Sequence, residues 1–413
     1  MSIKICFVTT VSRSIDWFIF PSVPALQKHG FFVTFVTTCE GDFAERCKQS
    51  GVTVHDVPVQ RGFDFIGMFK AALKFNKLCK REKFDIVVYA TPNAALYSSI
   101  GARIAKVPCR VLAHWGMRYV GFEGWKRVLI RTLEKIGCIN ATDIRNVSEK
   151  NRAIAIQDGM YKPEKCKVLG KGGTIGVDLS QYQPALIPQM RKDMRQKLEI
   201  PEDVLVYAFV GRICRDKGVG ELLSAFQLVQ KKNPHTYLIL LGGVDENSGL
   251  PDVLLKEAKD NPHIIFCGGV PNEQVSAYLA ASDVLVHPTY REGFGMVLQE
   301  AAAMFLPTIT TDIPGASEAI VAGETGLLAE KQDVETLAKA MEAMFDKSLR
   351  HTLGTNGRKR IEEDFERTMM VDRLCQDYLE IYHKRTNNNQ LSLRDKTYQN
   401  GEKEHDEADA FNR

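Results

Sequence analysis

The chain alternates, twice over, between short apolar β-rich runs and stretches with the apolar spacing of helices. Strands that read as unbroken apolar runs are buried on both faces, and helices between them cover a parallel sheet. In the first half these runs are IKICFVTT (3–10), FVTFVTT (32–38), a segment near 52–57, FDIVVYAT (84–91), CRVLAH (109–114), DIRNVS (143–148) and KVLG (167–170). A helix ending near His29-Gly30 and others at 42–50, 65–82, 93–106 and 123–137 lie between them. The rhythm restarts with VLVYAFVG (204–211), TYLILLGG (236–243), HIIFCG (263–268), DVLVHP (283–288), PTITT (307–311) and Leu327-Leu328. Helices are expected between these strands and at 333–346, 348–363 and 366–384. A proline-bearing stretch from Asp178 to Pro201 separates the halves. The pattern predicts an α/β chain with two doubly wound domains, residues 1–180 and 181–365, then a helix over 366–385. Residues 386–413 are polar and charged, too poor in apolar side chains to bury a core, and read as a disordered tail.

Of the 413 residues, 44% are apolar and 25% charged, which excludes fibrous and wholly disordered classes. None of the 10 cysteines forms a C-x-x-C pair, and Cys6, Cys138, Cys214 and Cys267 lie in apolar runs that suit buried thiols. Neither a disulfide framework nor a zinc site is expected, which favours the cytoplasm. The start, MSIKICFVTT, lacks a long apolar segment, so neither a secretory signal nor a spanning helix is expected. The net charge of +3 hides an asymmetry: residues 1–180 hold 27 Lys+Arg against 15 Asp+Glu (+12), and the remainder 27 against 36 (−9). The first domain therefore suits an anionic partner.

Two segments carry chemistry. Gly211-Arg212-Ile213-Cys214-Arg215-Asp216-Lys217-Gly218 follows a buried strand and precedes a helix, at the sheet edge where open α/β folds bind ligands. Its glycines permit close backbone approach, and Arg212 and Lys217 offer charge to a diphosphate. A βα turn with solvated cations would read the same way. The second segment, Arg291-Glu292-Gly293-Phe294-Gly295-Met296-Val297-Leu298-Gln299-Glu300, is a glycine loop opening a helix, which suits phosphate oxygens. Glu292 on the loop and Glu300 within the helix are too far apart to share a metal but fit hydroxyls on either side of a diphosphate. Acidic residues on a helix surface are the plainer alternative.

Together, the G-R-x(n)-K-G turn and the E-x(7)-E segment resemble the retaining glycosyltransferases of the GT-B fold, family 4. Thr311-Asp312-Ile313-Pro314-Gly315 with Glu318, Glu324-Thr325-Gly326-Leu327-Leu328, and Gly176-Val177-Asp178 with Tyr182 extend the resemblance. It implies two Rossmann-like domains facing across a cleft, with the last helix crossing back to the first. It implies transfer of a sugar from a nucleotide diphosphate sugar, UDP-linked by preference, with retention of configuration. Arg212, Lys217 and the backbone of Gly293, Phe294, Gly295, Met296 and Val297 would face the diphosphate. Glu292 would hold sugar hydroxyls, Glu300 the ribose hydroxyls, and backbone near Gly268 and Val270 the base. His114, in Ala113-His114-Trp115-Gly116, would reach the sugar from the opposite wall. The run from Met117 to Arg127 is similar to members that build capsular and O-antigen glycans on polyprenyl-diphosphate carriers. Where many relatives have a Gly-Gly pair after the first strand, this chain has Thr9-Thr10-Val11-Ser12-Arg13-Ser14, so acceptor contacts are not assigned to that loop.

No cofactor beyond the donor substrate is expected, and no metal, because D-x-D is absent. Nor is a nucleic-acid partner expected. Asp406-Glu407-Ala408-Asp409 spells a helicase box in the polar tail, and Gly170-Lys171-Gly172-Gly173-Thr174 lacks the spacing of a phosphate loop. Lys70, Lys74, Lys77 and Arg81, and again Arg127, Arg131 and Lys135, recur at helical spacing beside apolar faces. Such stripes either meet solvent or lie on anionic lipid, and the +12 half favours lipid for at least one of them, with Tyr119, Phe122 and Trp125 as apolar anchors. The rival readings are a nucleotide-sugar epimerase or phosphorylase of the same fold, and a non-catalytic nucleotide-sugar-binding protein.

Overall fold

Two parallel sheets, each with its earliest strand third in the order, organise the chain. The computed structural model describes residues 2–57, 65–245 and 248–387. The first sheet contains β1 (Ile3–Val11), β2 (Phe31–Thr38), β3 (Thr53–Asp56), β4 (Ile86–Tyr89), β5 (Cys109–His114), β6 (Asp143–Asn146) and β7 (Cys166–Val168). The second contains β8 (Leu205–Val210), β9 (Thr236–Leu241), β10 (Ile264–Gly268), β11 (Val284–His287), β12 (Thr308–Thr311) and β13 (Gly326–Ala329). Among the described residues the strand orders are β3-β2-β1-β4-β5-β6-β7 and β10-β9-β8-β11-β12-β13. All pairings are parallel, for instance Phe7 beside Phe35 and Leu285 beside Ala208. The order reverses between β1 and β4 and between β8 and β11, and a crevice opens at the carboxyl ends of strands at such a point. This is the doubly wound α/β architecture the sequence pattern predicts.

Some elements differ from expectation, each for a local reason. The helix expected to end near His29 is broken into Ser12–Phe18 and Val23–Lys28 around a turn at Phe20–Ser22. Pro21 and Pro24 cause the break, since each lacks an amide donor and is tolerated only in a first helical turn. The last helix runs over 367–387, so Thr386 and Asn387 complete it rather than begin the tail. Residues 388–413, Asp406–Asp409 with them, lie outside the described residues. The cysteines are all free thiols, and Cys267 is only partly buried.

Two segments cross between the sheets and bond to one another where they pass. Val177 donates its N–H to the Phe365 carbonyl at 2.9 Å, and Arg367 donates to the Val177 carbonyl at 2.9 Å. The helix over 367–387 then returns to the first sheet. There Val371, Cys375, Tyr378 and Ile381 are buried with Phe7 and Phe31, and the Tyr378 ring meets Phe7 edge-on at 6.0 Å. Each such apolar side chain contributes roughly 1.5–3 kcal/mol. Among them Asp377 receives the guanidinium of Arg145 on β6 in a fork, at 2.6 Å and 2.8 Å.

Both ends of that pair are nearly solvent-free, at 10% and 5% side-chain exposure, so removing one strands the other charge in the core. Asp377→Ala should therefore cost about 3–5 kcal/mol in chemical denaturation. A loss below about 1 kcal/mol would show that the helix is not anchored through Arg145.

Candidate active site

The two carboxyl edges face each other across a cavity of about 650 Å³. Its walls bring together five residues singled out from sequence: His114 from the first domain, and Arg212, Lys217, Glu292 and Gly293 from the second. Gly268, Val270, Phe294, Gly295, Met296, Val297 and Glu300 do not line it. Gly295 precedes the helix Met296–Ala303, and Met296 and Val297 open that helix. Gly268 lies at the end of β10, where a Cβ would meet nothing within 4 Å. The Phe294 ring is buried in the core against Phe365, 5.5 Å between centroids, so any part Phe294 plays at a ligand falls to its backbone.

Glu292 is the electrostatic centre. The Lys217 ammonium donates to its Oε2 at 2.7 Å, and Nε2 of His287, at the end of β11, lies 3.3 Å from the same oxygen. Burial alone would raise the Glu292 carboxyl, but the Lys217 charge and the His287 hydrogen bond outweigh it and hold the group well below the usual carboxylate range. Lys217 and Glu292, assigned to different parts of a ligand by sequence, are thus partners in the free protein. Arg212 is more exposed and pairs with Asp245 at 2.5 Å. Both cations can exchange a carboxylate for a phosphate without leaving bare charge behind, provided the carboxylate finds donors of its own.

His114 ends β5 and is buried. Oδ1 of Asn146 accepts the Ser148 N–H at 3.1 Å, which turns the amide nitrogen of Asn146 toward His114 Nδ1 at 3.2 Å. Nδ1 is therefore an acceptor, and the proton sits on Nε2. Burial pushes the ring pKa down to about 4, so His114 is a neutral N–H donor at neutral pH.

Glu300 contrasts with Glu292. Burial raises its pKa to about 7, opposed by Arg367, and among the described residues its carboxyl accepts no hydrogen bond. It has the unmet acceptor capacity that a pair of vicinal hydroxyls would fill.

Sequence reasoning passed over three residues. His287 lay inside a strand run, with nothing to mark its contact with Glu292. Glu134, in the helix Gly124–Asn140, lines the cavity and accepts the Arg118 N–H at 3.1 Å, while burial raises its pKa to about 7. It was hidden in a stripe read only for its cations. Asn151, which also lines the cavity, follows the helix-capping Ser148, and that cap was the legible signal. Among the described residues no group of three or more His, Cys, Asp or Glu side chains is placed to hold a metal ion, and no helix is long and apolar enough to cross a membrane.

Residues 190–360 match the family described as glycosyl transferases group 1, and residues 22–172 match the glycosyl transferase 4-like domain. The chain is 32% identical over 372 residues to the capsular polysaccharide biosynthesis glycosyltransferase CapM of Staphylococcus aureus, covering 90% of this chain and 95% of that one. It is 26% identical over 356 residues to the UDP-Gal:α-D-GlcNAc-diphosphoundecaprenol α-1,3-galactosyltransferase of Escherichia coli, covering 81% and 88%. In fold it is similar to Alr3699/HepE of Anabaena, solved with UDP and glucose, at a TM-score of 0.74 and 19% identity over 92% of this chain and 99% of that one.

Glu300 yields a stability prediction. Its folded pKa of about 7 lies above the ordinary carboxylate value of 4.5, so folding is penalised once pH rises past the ordinary value, and fully so above about 7. Glu300→Gln should raise Tm at about pH 8 and leave it nearly unchanged at about pH 5, where the native carboxyl is already protonated. An equal effect at both pH values would mean that Glu300 is not a strained carboxylate.

Proposed function

The chain belongs to the family 4 glycosyltransferases of the GT-B fold, and from that premise we propose a reaction and a place for it. It is a glycosyltransferase of capsular and lipid-linked glycan synthesis. The proposed donor is a UDP-sugar, the proposed acceptor a polyprenyl-diphosphate-linked glycan, and the sugar keeps its anomeric configuration. The observation that carries this reading is the Lys217–Glu292–His287 cluster, facing His114 across the cavity.

The bond from the anomeric carbon to the phosphate oxygen breaks, leaving negative charge on UDP and positive charge on the sugar ring. Lys217, Arg212 and the amides opening the helix Met296–Ala303 receive the departing diphosphate. As Lys217 turns to phosphate, Glu292 is freed to accept sugar hydroxyls, with His287 still holding one of its oxygens. Neutral His114 donates Nε2–H from the opposite wall. Glu300 accepts the ribose hydroxyls. The acceptor oxygen attacks the face the phosphate leaves, and its proton passes to the departing phosphate oxygen, so no protein nucleophile is needed.

The test is UDP release from a panel of UDP-sugars with GlcNAc-diphosphoundecaprenol, the acceptor named for the Escherichia coli relative. Release that requires acceptor supports transfer, and isomerised free sugar would favour an epimerase. Lys217→Ala should lower turnover by about 100-fold with the fold intact. Near-normal kcat/KM in that variant would sink the assignment.

A lipid-linked acceptor requires work at a membrane face, proposed here as the cytoplasmic one. Support comes from the helix Phe65–Glu82, whose Lys70, Lys74, Lys77 and Arg81 are exposed beside Phe69 and Leu73. The second stripe fares differently. Arg127 pairs with Asp158 at 3.2 Å, Arg131 donates to the Asp158 carbonyl, and Tyr119 is buried, while Trp125 is exposed beside Lys126 and Val128. Each cation near an anionic surface contributes about 1 kcal/mol, weakened by salt. The protein should sediment with anionic vesicles at low salt, be released at high salt, and lose binding when Lys70, Lys74, Lys77 and Arg81 become Gln. Equal binding to neutral vesicles would refute the electrostatic part.

A further inference from the structure

We propose that Asn151 is a positioning residue: from the first domain it holds the Glu292–Gly293 loop of the second, and Glu318 locks it in place. The inference rests on reading that loop as part of the donor site.

Asn151 belongs to the helix Glu149–Gln157, which the chain enters through Ser148 directly after β6. Ser148 caps the helix by accepting the Asn151 N–H at 2.9 Å. The next two orphan amides of that first turn find their acceptor in the other domain. Oε1 of Glu318 accepts the N–H of Glu149 at 2.8 Å and of Lys150 at 3.1 Å. Its Oε2 accepts the Ser148 hydroxyl and the Gly315 N–H. A carboxylate at a helix N-terminus is well placed for the dipole as well as the hydrogen bonds. Lys150 adds a bond to the Ser317 hydroxyl at 2.8 Å.

Thus fixed, the buried Asn151 amide donates to two carbonyls of the catalytic loop, Glu292 at 3.2 Å and Gly293 at 3.0 Å. The contact is steric as well. A Cβ on Gly293 would overlap the Trp115 carbonyl, and one on Gly315 would stand 2.5 Å from the Glu292 carbonyl and 2.9 Å from the Asn151 amide. The residues beside His114 and the residues beside Glu292 therefore touch through backbone, with Asn151 supplying the donor. When the domains part, the loop loses both bonds. Seating of the loop that carries Glu292 is in this way coupled to domain closure.

Asn151→Asp is nearly isosteric but sets an anionic oxygen against two carbonyls, whereas Asn151→Ala only deletes the donor. The expected order of damage is Asp worse than Ala, with turnover down about 100-fold and about 10-fold, and with UDP affinity in calorimetry changed by less than about twofold. A packing role predicts the reverse order. A second readout needs no acceptor. In a Trp17→Phe, Trp125→Phe background Trp115 is the only tryptophan left, and it lies against Gly293. Its emission should move to longer wavelength in Asn151→Asp and in Glu318→Gln, both read with UDP bound and with circular dichroism confirming the fold. If UDP binds the parent protein and neither substitution moves emission or turnover, the positioning role is wrong and the donor reading stands. If UDP does not bind the parent protein at all, the donor reading fails and takes this inference with it. Should Asn151→Asp fail to fold, Glu318→Gln decides, since it acts from the other domain without touching Glu292.

Discussion

The pair of backbone hydrogen bonds between Val177 and the Phe365–Arg367 segment sits where the chain's two passages between domains meet. Everything in the cleft depends on that meeting. Each sheet by itself delivers its loops to its own carboxyl edge, as any parallel sheet does. Only the joined crossings, with the returning helix pinned by Arg145 and Asp377, turn the two edges toward one cavity.

Two carboxylates eight positions apart, Glu292 on the cavity wall and Glu300 behind it in the helix Met296–Ala303, are kept in opposite conditions by their neighbours. Glu292 has a lysine and a histidine, and its charge is satisfied before any ligand arrives. Glu300 has burial without a donor, and its charge is disfavoured. The first arrangement keeps an anion available at a reacting centre. The second leaves free energy to be recovered when hydroxyl donors bind. The same logic separates the two histidines' surroundings: His114 is kept neutral by burial with a single acceptor role at Nδ1, while His287 spends its Nε2 on Glu292.

The fold was legible because buried parallel strands leave continuous apolar runs, and residues such as Leu205–Val210 and Val284–His287 could be placed to within two positions. The split of the first helix was missed because Pro21 and Pro24 act through absent donors, which apolar spacing does not register. The segments around Lys217 and Glu292 were legible because glycine, cation and carboxylate recur there in a family's order. What stayed hidden depends on contacts between distant residues. Nothing local to Asn151 reveals that it reaches the Glu292 and Gly293 carbonyls, 141 and 142 positions on, and nothing local to Glu318 reveals that it accepts the amides of Glu149 and Lys150. The pairing of Arg127 with Asp158 stayed hidden for the same reason, since Asp158 is invisible from within that helix.

The glycines at 293 and 315 carry a consequence for how such a chain can change. Because backbone meets backbone there, the joint has no adjustable padding: a methyl group forces a gap, and nothing smaller than hydrogen exists to tighten it. Sequence drift at the joint is confined to the partners that approach it, while the walls of the cavity, made of side chains, remain free to be resculpted. A new substrate is thus reachable by altering the lining without touching this joint, whereas a looser closure is reached only through the side chains that approach it, such as Asn151 and Glu318.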